Sequence, residues 1–261
     1  MKSLILLQPK IGDMDDFRDK PTPPMSLIHA VSLLADDYKI VLVDQRIDPH
    51  WKETLRLAIG NDPIAICITT LSGPMIKQAL TMADAVKSMC DVPVIWGGTH
   101  ITMFSEQAIA HPSVDYIVLG EGEIILKQLI EAIDRQETIK SIAGVWGKEN
   151  GQVIRNPRPK QGNFNDLPAV NYDTINFHQY LYSYKGYQTL DYLSSKGCPY
   201  GCAYCYNTKF NDNQWSAKSA QKVLAELRSL KEQYGFDMVY LLDDNFFIDF
   251  ARAFEIIDGL D

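Results

Sequence analysis

The chain has 261 residues, of which 46% are hydrophobic and 22% are charged, a composition typical of globular proteins with one large domain or two modest ones. Disordered, collagen-like and coiled-coil classes are excluded. The formal net charge of −8 offers no positive surface for nucleic acid or an anionic membrane, and no stretch approaches the ~20 apolar residues of a membrane helix. The N-terminus lacks a signal peptide pattern, so we expect a cytoplasmic protein with reduced thiols.

Short β-branched runs alternate with longer helical patterns over the first ~145 residues, which is the rhythm of βαβ units. Strands are predicted at Lys2–Leu7, Lys39–Val43, Ile64–Thr69, Val94–Trp96 and Tyr116–Leu119. Helices are predicted at Ser26–Asp36, Gly73–Met89, Thr102–Ala110 and Glu123–Arg135. Because crossovers between parallel strands are right-handed and each helix covers a face, this order predicts an α/β fold with a Rossmann-like, doubly wound parallel sheet.

Small and polar residues follow three of these strands, at the sheet edge where such folds bind ligands. They are Thr69-Thr70-Leu71-Ser72-Gly73, Gly97-Gly98-Thr99-His100 and Gly120-Glu121-Gly122-Glu123. Taken alone, each loop is equally well explained as the end of a strand and the cap of the next helix. Carboxylates at the start of a helix are equally well explained by the helix macrodipole. Three such loops on one edge of the sheet nevertheless predict a binding crevice. Gln8-Pro9-Lys10-Ile11-Gly12 stands where a dinucleotide fold has G-x-G-x-x-G, so NAD is disfavoured.

The second half of the chain resumes the βαβ order after a hairpin and a linker. Gly144–Lys148 and Val153–Asn156 flank Asn150-Gly151, a hairpin turn signal, and an irregular stretch runs over Pro157–Tyr187. A strand at Thr189–Ser194, a helix at Ser216–Tyr234, a strand at Met238–Leu242 and the start of a helix within residues 245–261 follow. The predicted domains are therefore residues 1–145, a hairpin and linker at 146–187, and residues 188–261.

Three of the five cysteines, Cys198, Cys202 and Cys205, lie within eight residues and are the expected metal ligands. Structural zinc needs a fourth ligand, for which His178 is nearest in sequence. Three thiolates on a cubane leave one iron without a protein ligand, and that iron can bind a substrate. Cys67, at the end of an apolar run, is interpreted as a small buried hydrophobe.

The C-x3-C-x2-C spacing, with Gly197, Pro199 and Gly201 bending the loop and Tyr204 before the last cysteine, closely resembles the radical S-adenosylmethionine (SAM) superfamily. The resemblance implies a [4Fe-4S] cluster on the three cysteines, with Tyr204 against the adenine of SAM. It also implies reductive cleavage of SAM to methionine and a 5′-deoxyadenosyl radical, with an external electron donor such as flavodoxin or ferredoxin. Asp243-Asp244-Asn245-Phe246-Phe247 resembles the segment where relatives meet SAM; an N-cap explains it equally well.

A second resemblance covers residues 1–145, which are similar to the cobalamin-binding domain that precedes the radical SAM core in one subfamily. Its segments are Pro23-Pro24-Met25-Ser26-Leu27, Gly97-Gly98-Thr99-His100 and Val118–Glu123. The resemblance implies cobalamin contacts in the three loops, at Thr70, Ser72, Gly97, Gly98, Thr99, His100, Gly120, Glu121 and Gly122. The D-x-H-x-x-G motif that supplies a cobalt ligand is missing; Asp48-Pro49-His50 has its first half only, and His50 is interpreted as a surface residue.

Together the two resemblances imply methyl transfer to carbon, or a radical rearrangement or cyclisation, on a small-molecule or natural-product substrate. The alternative is a non-catalytic ligand-binding module with a structural zinc loop. The 56 residues after Cys205 amount to about two βα units at ~30 residues each, so an incomplete (β/α) radical SAM barrel is expected. Whether this is a fragment or a short natural product, we expect the chain alone to show poor or no turnover, which robust SAM cleavage would contradict.

Overall fold

The computed structural model describes residues 1–16 and 19–260, which form two compact units. Residues 1–16, 24–160 and 170–175 make up the first unit, and residues 19–23, 161–169 and 176–260 make up the second. None of the helices in these described residues is both long and apolar enough to span a bilayer.

A seven-stranded sheet in the order β2-β1-β3-β4-β5-β6-β7 forms the centre of the first unit. Its strands are β1 (Ser3–Gln8), β2 (Lys39–Asp44), β3 (Pro63–Thr69), β4 (Val94–Gly97), β5 (Tyr116–Val118), β6 (Val145–Glu149) and β7 (Gln152–Arg155). The first five strands run parallel, and β6 and β7 extend the sheet as an antiparallel hairpin. The predicted doubly wound sheet and the predicted turn at Asn150-Gly151, with φ angles of 50° and 75°, are confirmed.

Helices cover both faces of this sheet. They are α1 (Met25–Ala30), α2 (Trp51–Ile59), α3 (Pro74–Met89), α4 (Thr99–Met103), α5 (Ser105–Ala110) and α6 (Gly122–Arg135). Side chains of β1 alternate between two apolar cores: Ile5 and Leu7 pack with α2, α3 and α5, whereas Leu4 and Leu6 pack with α1 and α6. Burial on both faces explains why the strands read as nearly continuous apolar runs.

Two helix predictions in the first unit differ from the structure, and one helix of that unit was not predicted. Helix α1 ends at Ala30 and does not reach Asp36. Turns with hydrogen bonds between residues three apart follow it, such as Leu34 N to Val31 O at 2.8 Å. The apolar side chains of the predicted helix stay buried in these turns. The predicted Thr102–Ala110 helix begins at Thr99 and breaks at Phe104, whose φ and ψ are −129° and 43°. Helix α2 was not predicted, although Trp51, Leu55 and Ala58 form its buried stripe.

The second unit contains a three-stranded sheet and a two-stranded sheet. Its strands are β8 (Tyr182–Tyr184), β9 (Tyr187–Tyr192), β10 (Ser195–Gly197), β11 (Trp215–Ala217) and β12 (Met238–Leu241). Its helices are α7 (Asn207–Phe210), α8 (Ala220–Tyr234) and α9 (Phe250–Asp258). The larger sheet has the order β12-β9-β8 with β9 and β12 parallel, so β9, α8 and β12 form one βα crossover.

Short 3-10 helices occur in both units. They lie at Asp13–Asp16, Ile139–Ser141, Phe164–Asp166, Tyr172–Thr174, Phe177–Gln179 and Phe246–Ile248. Several of them, together with β8, occupy the stretch that was predicted to be irregular.

Two boundaries in the second unit were predicted wrongly. The predicted strand Thr189–Ser194 ends at Tyr192 with β9, and Ser194 lies in the short connection before β10. The predicted Ser216–Tyr234 helix begins only at Ala220, where the Ser219 hydroxyl accepts a hydrogen bond from Lys222 N at 3.2 Å. The residues before that cap form β11, which pairs with β10, so a contact distant in sequence overrides the local helical pattern.

We expect Gly98→Ala to destabilise the protein by ~2 kcal/mol or more. Gly98 has φ 98° and ψ −176°, a backbone region that is essentially restricted to glycine, and a Cβ atom there would lie 2.6 Å from the carbonyl oxygen of Thr70. Gly60→Ala is the matched control, because Gly60 has helical φ and ψ and its Cβ would meet only ordinary contacts. Urea unfolding followed by circular dichroism measures both variants; equal midpoints would contradict the prediction.

Candidate functional site

The three predicted loops of the first unit lie next to one another at the carboxyl edge of the sheet. The Thr70 backbone N–H and hydroxyl both donate to Gly97 O, at 2.9 and 2.8 Å, and His100 N donates to Thr70 O at 3.3 Å. The Thr102 hydroxyl donates to Gly98 O at 3.2 Å and accepts from Gly120 N at 2.8 Å. The loops after β3, β4 and β5 are therefore joined by hydrogen bonds into one polar edge.

His100 lies on this edge in contact with the loop after β3. Its Nδ1 is 2.9 Å from the Ser72 hydroxyl, and its ring packs against Phe104 with the centroids 5.0 Å apart. Partial burial lowers the pKa of the His100 imidazole, so the ring is neutral at pH 7. Ser72 is exposed, while Gly97, Thr99 and His100 are half-buried, so a ligand can reach this pair.

The two glutamates of the third loop lie in different environments. Glu121 is half-exposed at the start of α6, whereas Glu123 is buried with its carboxylate 3.8 Å from His29 Nδ1. A Cβ atom on Gly122 would lie 3.1 Å from Ala30 Cβ, which shows that α6 approaches α1 closely at this point. Gly120 and Glu121 are therefore the residues by which this loop contributes to the polar edge of the sheet.

Several polar residues at the same edge of the sheet were not predicted from the sequence. The Ser26 and Thr69 hydroxyls are 2.8 Å apart; Gln45 accepts from Lys10 N at 3.0 Å and donates to Gln78 at 3.1 Å. They surround the position between β1 and β3 where the strand order reverses, the usual ligand position in open α/β sheets. A polar residue directly after a predicted strand, as Gln45 follows β2, was the available signal. His50 is exposed and precedes α2.

The cysteine loop leaves β10 at Gly197 in a conformation that requires glycine. Gly197 has φ 79°, and a Cβ atom there would overlap the carbonyl oxygen of Gln214, which directly precedes β11. After it, Cys198 and Cys205 are half-buried, and Cys202 is exposed. The Cys205 N–H donates to Cys202 O at 3.0 Å, and Tyr204 is 93% exposed. The chain thus presents the three thiols on a short, accessible turn.

All five cysteines are free thiols. Within the part of the chain that the structure describes, no three His, Cys, Asp or Glu side chains are placed to hold a metal ion, so the three predicted ligands share a turn without being in ligand geometry. Cys67 lies in the core of the first unit, where burial raises the pKa of its thiol to about 12. It remains a protonated, apolar side chain.

Asp243, Asp244 and Asn245 follow β12 and contact successive parts of the cysteine loop. The Asp243 carboxylate accepts from Ser194 N at 2.8 Å, from the Ser194 hydroxyl at 2.6 Å and from the Ser195 hydroxyl at 2.5 Å. The Asp244 carboxylate accepts from Gly197 N at 2.8 Å, and Asn245 Nδ2 lies 3.9 Å from Cys198 Sγ. These residues, predicted as SAM contacts, bind the loop that carries the cysteines.

Tyr206 closes this set from the other end of the loop. Its hydroxyl donates to Asp244 at 2.5 Å. Desolvation, followed by the hydrogen bond to Asp244, raises the pKa of the Tyr206 phenol, which therefore stays protonated as a donor.

Two buried cations lie at the start of the cysteine loop, and neither was predicted from the sequence. Arg252 donates from Nε to Lys218 O at 2.6 Å and from Nη2 to the Ser194 carbonyl and hydroxyl at 2.9 and 2.8 Å. Lys218 Nζ is 2.5 Å from a Glu226 oxygen. Desolvation lowers the pKa of both cations. Arg and Lys are rarely buried, so no sequence pattern marked them.

The first half of the chain is similar to a known domain family, and most of the chain is similar to curated proteins. Residues 20–130 match the B12 binding domain family. An uncharacterized methyltransferase of Pyrococcus horikoshii is 29% identical over 260 residues, which are 98% of this chain and 56% of that protein. The anaerobic magnesium-protoporphyrin IX monomethyl ester cyclase of a Synechocystis strain is 24% identical over 94% of this chain and 50% of that protein.

Solved structures share the fold of nearly the whole chain. TsrM from Kitasatospora setae, a radical S-adenosylmethionine methyltransferase with cobalamin and a [4Fe-4S] cluster bound, has a TM-score of 0.76 at 18% identity, over 99% of this chain and 50% of that one. OxsB, a cobalamin-dependent S-adenosylmethionine radical enzyme with aqua-cobalamin and S-adenosylmethionine bound, has a TM-score of 0.77 at 18% identity, over 99% and 37%.

Over residues 20–130 the chain is similar to B12 binding domains, and over nearly its whole length it shares the fold of two cobalamin-containing radical S-adenosylmethionine enzymes. The expected α/β fold with a Rossmann-like, mostly parallel sheet is confirmed, and nearly the whole chain has the fold of about half of TsrM. The chain spans about half the length of the curated relatives it matches.

Proposed function

We propose that this chain carries the cobalamin-binding and cluster-binding parts of a radical SAM enzyme. The enzyme cleaves SAM reductively and transfers a methyl group to carbon, or rearranges or cyclises its substrate. The observation that carries the proposal is the cysteine loop, on which Cys198, Cys202 and Cys205 project from a turn that Asp243, Asp244 and Asn245 hold at the end of β12.

The loop fits a [4Fe-4S] cluster by the chemistry of its donors. Three accessible thiols that form no disulfide supply three iron ligands, and the cluster has a fourth iron. When bound, such a cluster supplies an electron and an open iron for the amino and carboxylate groups of SAM. Tyr204, which is 93% exposed beside Cys205, is available to pack on the adenine.

The first unit fits cobalamin through its polar carboxyl edge. A Cβ atom on Gly97 would meet only Val118 O, at 4.0 Å, and one on Gly73 would meet nothing within 4 Å, so there is room for a large ligand against the backbone of both loops. Ser72, Thr99, His100 and Glu121 add hydrogen-bonding groups at this edge. In the absence of a D-x-H-x-x-G motif, we assign no residue as the lower ligand of cobalt.

The reaction class follows from the relatives, which include methyltransferases and cyclases. We propose a small-molecule or natural-product substrate, an external electron donor such as flavodoxin or ferredoxin, and a cytoplasmic location. The free thiols support that location, because a reducing compartment keeps them available for iron.

Anaerobic reconstitution of the chain with iron and sulfide tests the proposal. We expect about four iron atoms per chain, a brown colour and, after reduction, an electron paramagnetic resonance (EPR) signal that changes when SAM is added. A colourless protein that binds one zinc ion, or a cluster whose signal does not respond to SAM, would contradict it.

We expect Gly97→Leu to weaken the binding of hydroxocobalamin roughly tenfold while leaving the stability unchanged. The new side chain would enter open space at the end of β4, where the ligand is proposed to lie against the backbone. Gly60→Leu places the same side chain at the opposite edge of the sheet, before β3, and serves as the control. Equilibrium titration followed by absorbance measures the affinity, and unchanged affinity in Gly97→Leu would contradict the placement of the site.

A further inference from the structure

One carboxylate contacts both ends of the cysteine loop. Asp244 Oδ2 accepts from the backbone N–H of Gly197, the residue before Cys198, at 2.8 Å. Asp244 Oδ1 accepts from the hydroxyl of Tyr206, the residue after Cys205, at 2.5 Å. The ten residues from Gly197 to Tyr206, which contain all three cysteines, therefore begin and end on the same side chain.

We infer that Asp244 and Tyr206 form a clasp that closes the cysteine loop and positions its three thiols for the cluster. The inference rests on the proposed function and assigns Asp244 a role that the family resemblance did not imply. An open loop of this length must lose conformational entropy before three thiols can meet at one cluster. A clasp that already joins the two ends removes part of that cost, as preorganisation does in other binding sites.

The clasp is separate from the contacts that hold the end of β9 and the start of β10. Ser194 and Ser195 have their own acceptor in Asp243, and Arg252 binds Ser194 independently. Asp244 and Tyr206 are both exposed, so neither is required to fill the core. Loss of the clasp should therefore open the loop and leave the surrounding fold in place.

Substitutions separate the two bonds of the clasp. Asp244→Ala removes both acceptors, and Tyr206→Phe removes the donor at one end. Asp244→Asn is the conservative variant, because its amide oxygen still accepts from Gly197 N and its NH2 group donates to the Tyr206 oxygen. Tyr200→Phe, an exposed tyrosine of the same loop, and Asp258→Asn, an exposed carboxylate on α9, are the matched controls.

Hydrogen–deuterium exchange on the chain before reconstitution tests the contact itself. We expect the Gly197 amide to exchange roughly tenfold faster in Asp244→Ala than in the original chain, because the side-chain oxygen that accepts its hydrogen bond is lost. Asp244→Asn and both controls should exchange at the original rate. Unchanged exchange in Asp244→Ala would overturn the clasp.

Removal of iron by bathophenanthroline after anaerobic reconstitution tests the role of the clasp. We expect Asp244→Ala to lose iron about tenfold faster than the original chain, Tyr206→Phe to lose it several-fold faster, and Asp244→Asn and the controls to match the original chain. Equal rates in all variants would overturn the positioning role. If the original chain assembles no cluster, the proposed function fails and takes the positioning role with it, while the exchange measurement still decides whether the clasp exists.

Discussion

Replacing Cys198, Cys202 or Cys205 by alanine, one at a time, is expected to reduce bound iron after anaerobic reconstitution from about four atoms per chain to near zero. A cubane on three protein thiolates has no spare ligand, and alanine leaves a second iron open to solvent. Each thiol is at least partly accessible, so its loss should not disturb the fold. Iron and sulfide analysis, with visible absorption of the brown protein, measures the outcome.

Cys90→Ala is the control for this series. Cys90 is a half-buried free thiol at the end of α3, in the other unit and outside the turn that carries the three ligands. We expect it to retain the full complement of iron. A single-cysteine variant of the loop that kept four iron atoms, or a loss of iron in Cys90→Ala, would show that the cluster ligands are assigned wrongly.

The sheet of the first unit was predictable because each of its strands carries its own signal. Strand β3, for example, has six of its seven residues buried, since one side packs on α3 and the other on α6, and a run of β-branched residues records that environment directly. The hairpin was predictable for the same reason, because Asn150-Gly151 specifies its turn locally.

Elements that depend on distant partners were not predictable. Trp215–Ala217 becomes a strand only because Ser195–Gly197, about twenty residues earlier, lies beside it. Helix α1 stops at Ala30 although the apolar spacing continues, since turns can keep the same residues buried. The periodicity of apolar residues predicts which side chains face the core, but it does not predict the backbone conformation of the segment.

In the candidate site, too, local patterns were predictable from the sequence and contacts between distant residues were not. The spacing of the three cysteines is a local pattern, readable in eleven residues of sequence from Gly197 to Asn207. The pairing of Asp243 with Ser194 and of Asp244 with Gly197 joins residues almost fifty positions apart, and only the fold brings them together. Whether the loops of the first unit bind cobalamin, and whether Tyr204 contacts SAM, stay predictions.

Arg252→Met is expected to lower the free energy of unfolding by about 2–4 kcal/mol. Methionine keeps most of the length of the side chain and removes the guanidinium. The Lys218 carbonyl then loses a charged donor at 2.6 Å, and the Ser194 carbonyl and hydroxyl lose another at 2.8–2.9 Å. Arg252 is 7% exposed, so water cannot readily replace these bonds. Urea unfolding, followed by circular dichroism and tryptophan fluorescence, measures the change.

Arg252→Lys separates the geometry of this interaction from its charge. An ammonium group retains the positive charge near Asp243 but does not reproduce the fork of a guanidinium, which donates here in two directions at once. We expect it to recover less than half of the stability lost in Arg252→Met. Arg228→Met, at an exposed position of α8, should change stability by less than ~0.5 kcal/mol. If Arg252→Met unfolded at the same urea concentration as Arg228→Met, the hydrogen bonds of the buried guanidinium to Ser194 and Lys218 would not stabilise the fold, and the support for the cysteine loop would rest on the residues that follow β12.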